Sequence, residues 1–428
     1  MLTRLYPCAC DLSRGGDRVG EGRRAPKHRS DMSDANPPSS SVSRTGANPD
    51  LPDPFVGRDG RRVVGYEEWR QQQAHLRELV QTALYEKLPP VPDQAVFQEE
   101  PVGEYVTAGG HFAEVSRVAI SFDGFGFPVD AYRPRTRRTP SPVVVFLSWH
   151  HEVAPENGPA HSFCRPNLDL MLDRGYAVVN VVCRDIVPDE GLAADDRSAG
   201  LFGVYPGCDF GAVAAWGFGV SRAVDYVLDQ GWADPGKVVA SGHSRLGKAV
   251  LSAAVFDERI AVVNPNGSGL GGTGCFRIRG DAEGKNPDRV ERIADVVRNF
   301  PHWFNAVFAS YAGREDEIPI DHHTLKALVA PRALISTEAL GDVWANPYGT
   351  VTTTFAAREV YRWLGAEHKI AACFREGGHA QTESDIAAML DFADELFFGA
   401  PRRTVGLPFP VDPPAWAFDW RAPDSDSG

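Results

Sequence analysis

The chain holds 428 residues, 43% hydrophobic and 24% charged, and its 57 Asp and Glu against 44 Lys and Arg leave a net charge of −13. That balance argues against binding nucleic acid or an anionic membrane through bulk charge, and no window of about 18 apolar residues offers a transmembrane helix. Seven scattered cysteines, an odd number, do not make a disulfide framework.

The first 50 residues are rich in Arg, Gly, Ser, Pro and Asp. They predict a disordered tail over residues 1–55, ahead of one large domain over 56–428. Cys8 and Cys10 lie in that tail, and no histidine or cysteine motif follows to complete a metal site. The N-terminus lacks the continuous apolar core of a secretory signal, and Met32 offers a second start, so a cytoplasmic location is the expectation. Residues 66–88 read as an amphipathic helix: Trp69, Leu76, Leu79, Val80, Ala83 and Leu84 return at helical spacing before Pro89-Pro90 stops it. Residues 112–132 read as strands broken by the hairpin signal Asp123-Gly124-Phe125-Gly126.

From Pro142 the rhythm changes. Residues 143–147 are a continuous apolar run, fit for a strand buried on both faces. Residues 168–174 read as helix, 176–182 as a second buried strand, 212–228 as a long helix and 238–241 as a strand. Further strands are expected at 260–263, 333–337 and 370–374, with helices between. This alternation predicts an α/β fold, a mostly parallel sheet sandwiched by helices. Residues 267–314 depart from it. They are glycine-rich, then charged, then aromatic at Phe300-Pro301-His302-Trp303-Phe304, and read as an insertion over the active-site face.

Gly242-His243-Ser244-Arg245-Leu246-Gly247-Lys248 joins the strand at 238–241 to a helix opening at Ala249. A serine between strand and helix, with a glycine two before it, is the pattern of a nucleophile elbow. Its hydroxyl lies at the strand's C-terminal end, where free helix N–H groups can hold an oxyanion. The usual second glycine stands two after the serine; here Leu246 is there and Gly247 follows. This points to an α/β-hydrolase.

An elbow serine needs an acid and then a histidine downstream. The histidines are His302, His322, His323, His368 and His379. His379 follows Gly377-Gly378 just after the last predicted strand, where the base belongs. His368 precedes that strand and belongs at the opposite edge; His322-His323 opens a helix, which suits capping and packing. The run Asn264-Pro265-Asn266-Gly267-Ser268-Gly269 offers no carboxylate. The next strand is followed by Glu338 and Asp342. Asp342 is preferred because a short side chain in the loop suits a buried bond to an imidazole, and Glu338 stands as a second candidate acid. Trp149-His150-His151-Glu152 and Asp321-His322-His323 invite a metal reading. Adjacent side chains on a strand diverge, and neither motif has the i, i+4 spacing of a helical zinc site. No metal and no cofactor are expected.

Together these stretches resemble the glucuronoyl esterases, the 4-O-methyl-glucuronoyl methylesterase family of carbohydrate esterases (family 15), bacterial type, over roughly residues 65–400. The elbow is similar to the family's Ser-Arg-x-Gly-Lys. Also similar are Ala215-Trp216-Gly217-Phe218-Gly219-Val220-Ser221-Arg222-Ala223, Ser268-Gly269-Leu270-Gly271-Gly272, Phe300 to Phe304, Asp321-His322-His323, Ala330-Pro331-Arg332 and Asp342-Val343-Trp344-Ala345-Asn346-Pro347. The resemblance implies a serine carboxylesterase in which Ser244 is the nucleophile, His379 the base and Arg245 an oxyanion holder. It also implies Lys248, Trp344 and Glu291 as contacts to a glucuronate. Many members carry a catalytic glutamate where this chain has Gly267, and some bacterial members use an acid after the later strand, which agrees with Asp342. The fungal elbow cysteine is replaced by His243, so that disulfide is not expected.

The expected substrate is a small-molecule or oligosaccharide ester, foremost a glucuronoyl ester. A sugar acetyl ester or another small ester is the alternative, and a non-catalytic carbohydrate-binding relic the second alternative.

Overall fold

The computed structural model describes residues 50–135, 140–151, 164–190, 192, 196–403 and 409–423. The expected tail, with Cys8, Cys10 and Met32, lies outside these residues up to position 49, and so does Glu152. Within its last positions the expectation is corrected: Leu51 and Phe55 are buried. The Leu51 N–H donates to the Ala417 carbonyl at 2.7 Å, and the Trp420 indole donates to the Leu51 carbonyl at 2.9 Å. Phe55 packs at 5.4 Å from Trp69 and 5.5 Å from Trp363, ring centre to ring centre. Apolar side chains in the 51–55 segment therefore draw it into the domain.

The strands are β1 (Val96–Val106), β2 (Phe112–Phe122), β3 (Phe125–Pro134), β4 (Ser141–Ser148), β5 (Ala177–Val182), β6 (Ala233–His243), β7 (Val262–Asn266), β8 (Ala333–Ala339) and β9 (Ile370–Arg375). They form one sheet in the order β1-β2-β3-β5-β4-β6-β7-β8-β9. Pairing is antiparallel from β1 to β5 and parallel from β5 onward. No apolar alternation announces β1, because it is an edge strand with nearly every side chain exposed. The sequence marks only the apolar half of β6; its start, Ala233 to Lys237, carries proline and glycine.

The helices are α1 (Tyr66–Val80), α2 (Arg165–Asp173), α3 (Cys183–Ile186), α4 (Leu201–Val204), α5 (Ala212–Asp229), α6 (Arg245–Phe256), α7 (Ile293–Asn299), α8 (Ala306–Ser310), α9 (His322–Val329), α10 (Pro347–Trp363) and α11 (Glu383–Phe398). α1 ends earlier than its periodicity suggests and gives way to one π-helical turn, Gln81–Tyr85. The period of two sorts each buried strand between two cores. Val143, Val145 and Leu147 of β4 join the core under α1, α5, α6, α9 and α10, while Val144 and Phe146 join that under α2 and α11. Helices thus cover both faces, and the C-terminal ends of the parallel strands share one edge.

A buried polar layer ties that edge together. Ser241 Oγ donates to Asn264 Oδ1 at 3.0 Å, and Asn264 Nδ2 donates to the Ile335 carbonyl at 2.8 Å. Asn266 Nδ2 donates to the Thr337 carbonyl at 2.9 Å. Neutral amides cross-brace β6, β7 and β8 where charge would be costly.

Candidate active site

The elbow is built by close backbone approach. A Cβ on Gly242 would meet the Leu246 carbonyl oxygen at 2.6 Å. One on Gly247 would meet Ser268 Cβ at 2.9 Å and the Asn266 carbonyl at 3.0 Å. The displaced second glycine is needed because α6 rests against the loop after β7. Between the two glycines, Ser244 takes a φ of +58°. Its N–H donates to the Asn266 carbonyl at 2.9 Å, which helps hold this strained turn.

Ser244 Oγ stands 2.8 Å from His379 Nε2, and His379 Nδ1 stands 2.6 Å from Asp342 Oδ2. The Asp342 side chain is 6% exposed and that of His379 43%. Two loops are clasped to bring the acid to the imidazole. Leu340 N–H donates to the Arg375 carbonyl and Gly341 N–H to the Gly377 carbonyl, each at 2.9 Å. Arg375 then holds the histidine loop, donating through Nη2 to the Ala380 carbonyl at 2.6 Å and through Nε to Asp385 at 2.8 Å. A lone arginine in a strand carries no sequence signal for this role.

A cleft of about 300 Å³ opens over these groups, lined among others by Arg245, Lys248, Glu291 and Trp344. The segment 267–314 supplies much of its wall. A larger groove of about 440 Å³ lies between α5, α6 and the 88–91 segment, away from Ser244 and His379. Arg245 reaches Asp189 Oδ2 at 2.8 Å and lies over the rings of Phe300 and Trp303. Trp344 is 44% exposed at the mouth.

Lys248 is placed differently from a simple sugar contact. It is buried, and its ammonium donates to the Ser268 carbonyl at 2.8 Å, the Leu270 carbonyl at 2.6 Å and Glu291 Oε2 at 3.1 Å. All three of its protons meet protein acceptors. Burial lowers its pKa, against the pull of Glu291. Lys248 and Glu291 therefore brace each other and the glycine-rich loop at the wall of the cleft.

Glu338 does not reach His379. It is buried and accepts from Thr273 Oγ1 at 2.8 Å, and burial pushes its pKa up to about 8. His322 has both ring nitrogens engaged, by Asp321 at 2.8 Å and by the Gly271 N–H at 2.6 Å, and His323 bonds the Pro52 carbonyl at 2.7 Å. His302 is buried beside Asp189, and His368 is exposed before β9 at the far edge of the sheet. His151 pairs with Asp130 and Asp185. Among the described residues no group of three or more such side chains is arranged to hold a metal ion.

His243 is buried, its Nδ1 at 2.6 Å from Asn266 Oδ1 and its ring centre 4.5 Å from that of His379. Burial and the neighbouring His379 push its pKa down to about 3, so it stays a neutral partner to the imidazole.

A family model described as glucuronyl esterase, fungi, matches residues 138–365, more than half of the chain. The chain belongs to the glucuronoyl esterase family. It is 29% identical over 400 residues to carbohydrate esterase MZ0003 of an unknown prokaryotic organism, covering 82% of this chain and 90% of that one. It is 30% identical over 324 residues to 4-O-methyl-glucuronoyl methylesterase 1 of Wolfiporia cocos, covering 74% and 73%. A carbohydrate esterase family 15 glucuronoyl esterase from Caldicellulosiruptor kristjansonii superposes with a TM-score of 0.70 at 29% identity, over 90% of this chain and all of that one. The fold is that of an α/β-hydrolase, and the class is carboxylic ester hydrolase.

The position after β7 where the resemblance places a glutamate is Gly267 in this chain, with a φ of +50°. A Cβ there would lie 3.8 Å from Asp342 Oδ2 and 3.6 Å from His243 Nδ1. The two places for an acid, after β7 and after β8, are therefore neighbours in space, and here the second carries the carboxylate.

Proposed function

We propose that this protein hydrolyses esters of a glucuronate, with Ser244, His379 and Asp342 as its triad. The observation that carries this reading is the continuous relay from Ser244 Oγ through His379 to Asp342, at 2.8 Å and 2.6 Å, beneath a cleft of about 300 Å³. His379 Nδ1–H donates to Asp342, which leaves Nε2 to accept the serine proton. Ser244 Oγ attacks the ester carbonyl as its proton passes to Nε2. The tetrahedral oxyanion meets the first N–H groups of α6 and the Arg245 guanidinium. Collapse expels the alcohol, which leaves with the proton from His379. Water then repeats the sequence on the acyl-enzyme and frees the glucuronate.

The substrate class rests on the family and on the cleft, which presents the Arg245 guanidinium and the exposed Trp344 indole to a hydroxyl-rich acid. A panel of benzyl glucuronate and acetylated xylose tests it. We expect turnover of the glucuronate ester with little or none of the acetyl ester; the reverse preference would move the protein to the sugar acetyl esterases. Ser244→Ala should lower kcat by about 10³ or more and abolish labelling by a fluorophosphonate. A variant retaining a tenth of wild-type turnover would end the serine mechanism, and a wild-type chain that neither labels nor turns over would be the binding relic.

A further inference from the structure

Asp189 lies three residues beyond Ile186, the last residue of α3, in a loop that carries no catalytic pattern. Its side chain is 3% exposed. One carboxylate oxygen accepts from Arg245 Nη1 at 2.8 Å, and the other accepts from the Trp303 indole at 3.0 Å. Burial raises its pKa, but His302, the charge of Arg245 and the indole N–H outweigh burial and hold it below the ordinary carboxylate value.

The same guanidinium is also fixed on its face. Its central carbon lies 4.5 Å from the Trp303 ring centre and 4.8 Å from that of Phe300. Those two rings stack at 3.9 Å. Among the described residues Arg245 Nη2 has no hydrogen bond, and the side chain lines the cleft with Ser244. One edge of the fork is thus held by a buried anion, and its face by two aromatics, while a donor remains for a negative charge that develops late. A preorganised donor of this kind need not reorient during the reaction.

We infer that Asp189 is a positioning residue for ester hydrolysis: its buried carboxylate holds the Arg245 guanidinium in place for the oxyanion and locks that arginine to Trp303 of the 267–314 segment. The inference rests on the proposed roles of Ser244 and Arg245.

The test is a double-mutant cycle on benzyl glucuronate hydrolysis with Asp189→Asn and Arg245→Ala, each checked by thermal melting. Asp189→Asn should lower kcat roughly 10- to 100-fold while KM moves less than about 3-fold, since the arginine acts in the transition state. In the Arg245→Ala background the same change should alter kcat less than about 2-fold, because the group it positions is gone. Equal losses in both backgrounds, or a loss confined to KM, would overturn the inference. Asp189→Ser serves if the asparagine variant does not fold; failure of both to fold would show a structural role and overturn it too. An Arg245→Ala enzyme with wild-type kcat would instead bring down the reading of the site, and the inference with it.

Discussion

At the scale of one residue, the proposed triad turns on Asp342. Its buried oxygen at 2.6 Å from His379 Nδ1 fixes the tautomer that can accept from Ser244. An asparagine of the same shape can offer its amide N–H instead, which favours the opposite tautomer. Asp342→Asn should therefore keep the wild-type melting temperature and lower kcat by about 10³–10⁴. Glu338→Gln, measured beside it, should leave kcat within a few-fold, because Glu338 bonds Thr273 rather than the imidazole. The serine and histidine are legible in the sequence because each sits at a strand end with small residues that mark a tight turn. Asp189 is not, since it meets Arg245 across 56 residues of chain and no local pattern records that contact. Lys248 is legible as a residue but not in its posture; only the folded glycine-rich loop supplies the two carbonyls that enclose its ammonium.

Elements decide whether those residues meet. The loop after β8 and the loop after β9 touch at Gly341, where a Cβ would come within 2.4 Å of the Gly377 carbonyl oxygen. Gly341→Ala should push the loops apart and separate Asp342 from His379. We expect kcat to fall by at least about 10-fold, as for other misplacements near 1 Å, with KM little changed. Wild-type kcat in that variant would show that the loops give way freely. A second link joins β3, the end of β4 and α3, where His151 is held between Asp130 and Asp185. Those two bonds outweigh burial and raise the His151 pKa to about 9 from 6.5. A raised histidine pKa stabilises the fold fully below its unfolded value, and that stability is lost as pH rises through the folded value. The melting-temperature deficit of His151→Gln should thus be largest near about pH 6 and close between about pH 6.5 and 9. A deficit that is flat across this range would mean the imidazole acts by packing alone.

At the scale of the whole molecule, the first and last described segments close on each other. Leu51 and Phe55 near the start meet Ala417 and Trp420 near the end, under Trp69 and Trp363. This clasp touches no group of the cleft. Trp420→Ala should cost about 3–5 kcal/mol of stability, as other large-to-small changes of buried aromatics do. It should lower the melting temperature while kcat at 25 °C stays at the wild-type value, which calorimetry and a kinetic assay together check.

The sequence by itself determined the α/β-hydrolase frame. Apolar runs, their breaks and the strand–Gly-x-Ser–helix turn are written in neighbouring residues, and backbone sterics and hydrophobic burial act on them locally. It also narrowed the acid to two carboxylates after one strand. The sequence preferred Asp342, but only the tertiary structure set it rather than Glu338 beside His379, enclosed Lys248, paired Arg245 with Asp189 and drew residues 51–55 out of the tail. Each of these is a contact between segments far apart in the chain, such as Ser244 and His379 at 135 residues' separation. The direction a polar side chain takes depends on which distant acceptor packing brings within about 3 Å, and periodicity holds no record of that.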